Sequence, residues 1–316
     1  MKKIIVNSVF AALILTLCLS FNSCKKDDND DNNGNSTTEF TPKQKIKKFY
    51  SEDEEGAHAG QKRLLREYTW NDNKIAKVIH HYEGSTETES YFYDDNNRLV
   101  KIESDQGYVY KIFSEGSKYN KIELYYEGEL GGTYNISYNQ DKISKITIVQ
   151  TYDVEYSKIN KNGFLSNIVS SEMLSKIVDK RINRTAKTGE IFTYTYTITF
   201  TYNGENIKEK VMEWISEYGS ESSITRLTYK YDSYDNMSNP YYKLFIVDED
   251  LNLEHSKNNP LNKKEILYFS NGEESHTEEC NIKYSYKYAN EYPIEENYTS
   301  AGDYHYEGGE KKYYEY

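Results

Sequence analysis

Cysteine is nearly absent from this chain, with three in 316 residues. Cys18 and Cys24 belong to one N-terminal stretch, which leaves Cys280 alone in the remainder. A single thiol excludes an intramolecular disulfide, a cysteine-rich zinc site and a CxxC redox centre. The carboxylates Glu278 and Glu279 beside Cys280 disfavour a thiolate, so Cys280 reads as a small strand residue and not as a nucleophile. Proline (4), methionine (4) and tryptophan (2) are scarce. No long apolar run follows Phe21, and the mean hydropathy of -0.89 excludes a helical membrane protein beyond the first segment. HExxH, HxH and GxSxG motifs are missing, and Gly131-Gly132 lacks the residues of a phosphate loop. Bases are outnumbered, 39 against 51 acids, a balance that repels nucleic acid and anionic headgroups. What the chain has in abundance is tyrosine, 34 residues against 11 phenylalanines. Such rings suit the pleated, half-buried surface of a strand.

Lys2 and Lys3 precede an apolar run from Ile4 to about Phe21, the order of a secretory signal. The run is barely long enough to span a bilayer, which takes roughly 20 apolar residues. Phe21-Asn22-Ser23-Cys24 ends it with a small residue directly before a cysteine. This resembles the lipobox at which bacterial lipoproteins are cut and acylated, with Phe21 and Asn22 at the positions where leucine and a small residue are usual. Cys24 is therefore the expected lipidation site, and Cys18 is a poorer one because bulky Leu17 precedes it. Cleavage there leaves 37 basic against 51 acidic residues, a net -14. With no basic tract, acyl chains would supply the membrane affinity, at roughly 0.8 kcal/mol per buried CH₂.

Residues 24–41 carry no apolar side chain until Phe40 and read as a solvated tether after the 1–23 signal. Asn29, Asp31, Asn33 and Gly34 fit the first, third, fifth and sixth positions of a calcium loop. The twelfth is Phe40 instead of a bidentate glutamate, so the tether reading prevails. An acidic cluster close behind the lipidated cysteine resembles the surface-export signal of Bacteroidota-type lipoproteins, which implies an outer-membrane location facing the cell exterior.

Residues 42–316 form one expected domain built on a repeat. Two aromatic or apolar residues one apart are followed by a polar turn, an apolar residue and often Lys or Arg. The clearest copies are Tyr68-Thr-Trp70 to Val78, Tyr91-Phe-Tyr93 to Ile102, Ile136-Ser-Tyr138 to Ile146, Phe200-Thr-Tyr202 to Ile207 and Tyr286-Lys-Tyr288 to Ile294. Weaker copies begin at Tyr110, Val154 and Tyr229. Each predicts a hairpin, because strand side chains alternate and Asn, Asp and Gly tolerate the positive φ of tight turns. The basic residue marks the expected return of the chain to solvent. From Ile191 to Tyr202, rings and Ile198 alternate with five threonines, a stretch that would extend roughly 40 Å at about 3.3 Å per residue. A transmembrane barrel strand alternates in the same way. Elsewhere, however, Lys230, Lys283 and Lys287 lie opposite the rings, and tyrosine prefers interfaces to hydrocarbon. The sequence therefore predicts an all-β antiparallel meander of hairpins, forming a tall twisted sheet or a partly closed barrel in water.

Tyr91 to Leu99 resembles the tyrosine-aspartate hairpin repeats of secreted bacterial proteins, with Asn97 where those repeats usually have Gly. The unit Glu67 to Asn71, followed by Tyr231-Asp232, Asn239-Pro240-Tyr241-Tyr242, Ser256 to Pro260 and Tyr286 to Pro293, is similar in that order to a Bacteroidota lipoprotein domain of unknown function described as having a porin-like fold. The resemblance implies a barrel-like meander and no assigned activity.

Candidate chemistry is thin. His80 and His81 are adjacent, so on a strand they face opposite ways and cannot chelate one ion together. His58, His255, His276 and His305 fall in loop-like or tyrosine-flanked surroundings. Glu273-Glu274 and Glu278-Glu279 around His276 form the densest acidic cluster, expected to be a solvated hairpin loop. Trp70 and Trp214 suit core packing better than sugar stacking. With no catalytic residue, metal or cofactor expected, the reading is a non-enzymatic, lipid-anchored envelope protein that binds a glycan, a peptide or an envelope partner and no nucleic acid. Its rivals are a surface hydrolase using a close, desolvated carboxylate pair, and a structural scaffold.

Overall fold

The computed structural model describes residues 44–53, 59–153, 191–218, 221–242, 244, 256–270, 272, 274–302 and 308–316. The expectations for the signal 1–23, for Cys24 and its tether, for the copy at Val154, and for His58, His255 and His305 lie outside them.

The first eight strands are β1 (Lys48–Asp53), β2 (Lys62–Asn71), β3 (Lys74–Tyr82), β4 (Ser85–Tyr93), β5 (Leu99–Ser104), β6 (Tyr108–Glu115), β7 (Lys118–Tyr126) and β8 (Glu129–Asn139). The rest are β9 (Lys142–Asp153), β10 (Ile191–Asn203), β11 (Asn206–Tyr218), β12 (Glu221–Ser238), β13 (Asn258–Ser270), β14 (Ser275–Ala289), β15 (Tyr292–Gly302) and β16 (Gly308–Glu315). Each pairs antiparallel with the next, and β1 pairs with β16 from Lys48↔Glu315 to Asp53↔Glu310. The meander is thus a closed barrel. That pairing decides between the sheet and the barrel that the sequence left open.

The turns follow the chemistry of their residues. Asp72, Asn97, Gln140 and Asn290 hold φ between 50° and 65° at the tips, where Gly204 and Gly116 serve other hairpins. Asn97 takes the glycine-like conformation at φ 65° because a short amide side chain tolerates it. Of the acidic stretch around His276, Glu274 lies exposed just before β14 and Glu273 is outside the described residues, whereas from Ser275 on the stretch is strand and not the loop expected. Within β14, Glu278 is buried while Glu279 points outward to Lys264 at 2.6 Å.

Facing follows the period of two. On β10, Tyr196, Ile198 and Phe200 are buried, whereas Thr199 and Thr201 are exposed. Ile102, Ile122, Ile146 and Ile198, from four different strands, are each 0% exposed and belong to one cluster. A lone barrel has nothing packed on its outside, so full burial places these residues within. Sixteen strands in a round ring would leave an aqueous channel. Here the interior is filled by one cluster of buried side chains, which Tyr241 and Leu244 of the β12–β13 connection join.

The outer wall is polar. Lys121–Glu123, Lys287–Glu295 and Lys264–Glu279 pair across it at 2.6–2.8 Å, and Arg226 pairs with Glu213. Such pairs are each worth about 0–1 kcal/mol, so they add little stability. Against lipid, however, a lysine at mid-depth costs about 2–4 kcal/mol. Among the described residues no continuous apolar band encircles the barrel.

Ile198→Ala should lower stability by about 2–5 kcal/mol, and Thr199→Ala should change it by less than about 0.5 kcal/mol. Urea unfolding compares them, and equal losses would contradict the facing of β10.

Candidate functional site

Two features inside the barrel carry its chemistry. The first is a ring of side chains at the end holding the β2–β3, β4–β5, β8–β9 and β10–β11 turns. Trp70 Nε1 donates to the Ile46 carbonyl at 2.7 Å, Tyr93 Oη to Ile75 at 2.9 Å and Tyr202 Oη to Ile143 at 2.7 Å. Tyr234 does the same to Ile207, and Tyr316 donates to Pro293 at 2.9 Å. In Tyr93 and Tyr202 the second aromatic of a repeat thereby stitches its hairpin to the one before. The basic residues run the other way. Lys74 donates to Asn97, Arg98 to the Gly116 carbonyl, Lys118 to that of Gln140 and Lys142 to that of Gly204. These bonds lie at the exposed surface, so the basic residue meets solvent as expected and also ties its hairpin to the following turn. Three also sit over rings, Lys74 over Tyr93, Lys118 over Tyr138 and Lys142 over Tyr202.

The motifs behind the family resemblance lie at this same end. Asn239 and Asn259 are 0% exposed. Asn239 Nδ2 donates to the Ser256 carbonyl at 3.2 Å, and Asn259 Nδ2 donates to Asp235 Oδ2, also at 3.2 Å. Tyr288 donates to Asp235 and Tyr242 to Glu205, which Lys257 also pairs at 2.6 Å. These residues form a clasp that draws Tyr241 into the interior.

The second feature is a buried network of phenols and charges. Tyr91 donates to Glu89 at 3.0 Å, Tyr68 and Tyr241 share a hydrogen bond at 3.0 Å, and Tyr314 donates to Glu296 at 2.9 Å. Lys312 Nζ lies 3.4 Å from Glu296 and 3.7 Å from Glu310, with all three side chains 3–5% exposed. Ser51 donates to Glu310, whose other oxygen, Oε2, has the Lys312 ammonium near it but no hydrogen bond. Burial, and then the Glu296 carboxylate, push the Tyr314 phenol well above its ordinary pKa. Burial, and then Glu89, do the same for Tyr91, as burial and then Tyr68 do for Tyr241. Tyr298 is pushed up to about 12, by burial first and then by Glu310.

His80 turns inward, 3.2 Å from Glu89, and His81 turns outward to Glu67 at 2.9 Å, as adjacent strand positions require. Trp214 is 2% exposed and stacks on Tyr196 with ring centroids 4.9 Å apart, and Trp70 is held by its indole bond, so both serve packing. Cys280 is fully buried. The desolvated carboxylates Glu296 and Glu310 are the nearest the described residues come to the pair the hydrolase alternative requires, and both are covered and share Lys312. Sequence reasoning missed this network. Its signal was a charge two residues before a tyrosine, as in Arg66-x-Tyr68, Glu89-x-Tyr91, Glu296-x-Tyr298 and Lys312-x-Tyr314, a spacing that puts the charge on the ring-bearing face.

Lys312→Met should destabilise the fold by about 3–5 kcal/mol, because it strands two buried carboxylates. Lys287→Met on the outer wall should cost under about 1 kcal/mol in the same urea assay. A second expectation concerns alkaline pH. A phenol whose pKa is higher folded than unfolded contributes stability that is whole below about pH 10. That contribution disappears as pH rises through the folded value, about 12 for Tyr298. Phenolate absorbance near 295 nm should therefore show a late cooperative step coincident with loss of near-ultraviolet circular dichroism. Smooth titration of every tyrosine around pH 10 with the fold intact would contradict the burial.

No protein-family model and no curated protein matches the sequence. Among solved structures, the chain is similar to a porin-like protein from Bacteroides vulgatus, at 9% identity and TM-score 0.37, with 86% of this chain and 98% of that one covered. It is also similar to a porin-like protein from Bacteroides uniformis, at 11% identity and TM-score 0.24, over 87% of this chain and 99% of that one. At these scores the barrel assignment rests on this chain's own strand pairing.

Proposed function

We propose that this chain is a lipid-anchored envelope protein whose water-facing barrel binds a glycan, a peptide or a neighbouring envelope protein, without catalysis. The observation that carries the reading is the polar outer wall. A barrel covered by ion pairs has no lipid-facing band with which to enter a bilayer, so membrane attachment needs a separate device. The Ser23-Cys24 junction after an apolar segment supplies one through acylation of Cys24. The acidic residues 27–31 behind it favour the exterior face of the outer membrane. The non-catalytic reading is supported by the burial of the carboxylates, since Glu296 and Glu310 are only 2% and 4% exposed. The net charge argues against nucleic acid as a partner.

Cys24→Ser should abolish incorporation of labelled palmitate and move the protein from the membrane fraction to the soluble one. Continued membrane retention of the unlabelled variant would reject the lipid anchor. Protease shaving of intact cells tests orientation, and protection of the domain would place it on the periplasmic side.

A further inference from the structure

The large apolar side chains exposed among the described residues are Phe92, Phe113, Leu130 and Ile294. Three of the four lie on one sector of the outer wall, from β4 to β8. Strand register orders this sector. Phe92 stands opposite Lys101, Lys101 opposite Lys111, Lys111 opposite Glu123, and Phe113 opposite Lys121. Three rings thus interleave with three ammonium groups. Lys101 lies 4.1 Å from the Phe92 ring centre, Lys121 4.0 Å from Phe113 and Lys111 4.1 Å from Tyr125. Two of the lysines also meet carboxylates at 2.8 Å, Lys101 with Glu103 and Lys121 with Glu123. Phe92 and Phe113 are two strands apart, roughly 10 Å across the wall at about 4.8 Å per strand.

We propose that this sector is a binding platform for a neutral polysaccharide. The inference rests on the binding function proposed above and gives it a place and a ligand class. The rings offer flat apolar surface to the C–H faces of successive sugars. The lysines and glutamates between them offer donors and acceptors for hydroxyls. Three alternatives fit less well. A closed barrel has no unpaired strand edge with which to capture a peptide through its main chain. A polyanion meets a mature chain of net -14 and lysines already balanced in part by Glu103 and Glu123. A second copy related by two-fold symmetry would set Lys101, Lys111 and Lys121 against the same lysines, and like charges in contact oppose association. The ammonium groups over the rings are a small obstacle, since an exposed cation–π contact is worth about 0.5–1 kcal/mol.

The test is retention of the full acylated chain, in detergent, on immobilised mannan, xylan, β-glucan and polygalacturonate. The wild type should be retained on at least one neutral polymer, equally at about 0.05 and 0.5 M NaCl, where screening of exposed charges differs strongly. The double change Phe92→Ala, Phe113→Ala should weaken retention at least tenfold while leaving near-ultraviolet circular dichroism unchanged. Tyr125→Ala alone should weaken it severalfold, and Tyr268→Ala on the β13 outer wall should have no effect. Retention that survives the ring changes would overturn this surface and leave the binding function standing elsewhere on the barrel. Binding to polygalacturonate alone, lost at high salt, would mark a polyanion site instead. A wild-type dimer dissolved by the ring changes would mark self-association. A wild type retained on no polymer would overturn the inference while leaving peptide and envelope partners open.

Discussion

With Phe49 held opposite Tyr314 across β1 and β16, the sheet has no free edge, and each strand pairs with a neighbour on both sides. Closure also makes the two faces unequal. One face must enclose a common interior, and the other must meet whatever surrounds the barrel. The alternation of apolar or aromatic residues with polar ones, clearest in β10, then becomes a statement about inside and outside. That the apolar side is inside sets this barrel apart from one that lines a channel in a membrane, where lipid-facing residues are the apolar ones.

An interior so closed has to satisfy what it buries. Apolar residues such as Ile102 and Ile198 need only cover, and each contributes about 1.5–3 kcal/mol relative to exposure. Glu296, Glu310 and Lys312 need partners, and they have one another together with Ser51 and Tyr314. Tyrosine resolves the mixture, since one residue supplies both ring area and a hydroxyl that reaches a carboxylate or a carbonyl. This is the physical reason for the bias toward tyrosine over phenylalanine. In Tyr93 and Tyr202 the hydroxyl crosses to the preceding hairpin, while in Tyr91 and Tyr314 it meets a buried acid.

Much of the architecture was legible beforehand. The period of two in β10, the turn residues such as Asn97 and the opposite facing of His80 and His81 all follow from local rules. Harder to read were Glu296 and Lys312, because Glu295 and Lys311 stand directly beside them with the same charge and the opposite environment. The second role of the turn lysines was hidden for a related reason. A lysine after a tight turn meets solvent as its charge suggests, and only the placement of the next turn alongside lets its ammonium also reach an oxygen there. His276, Glu278 and Glu279 looked like part of a loop because their surroundings are polar, yet cross-strand pairing with β13 carries them into the sheet.

The chain by itself determined that strands would form, which side chains would share a face and where the hairpins would turn. These depend on residue type and short spacing alone. Only the tertiary structure decided that the meander closes, that the ring-bearing face is the inner one, that the Asn239 and Asn259 segments clasp one end, and that Phe92, Phe113 and Leu130 gather on one sector of the wall. Those outcomes depend on which strands become neighbours across long stretches of sequence, a matter of global packing that no local pattern encodes.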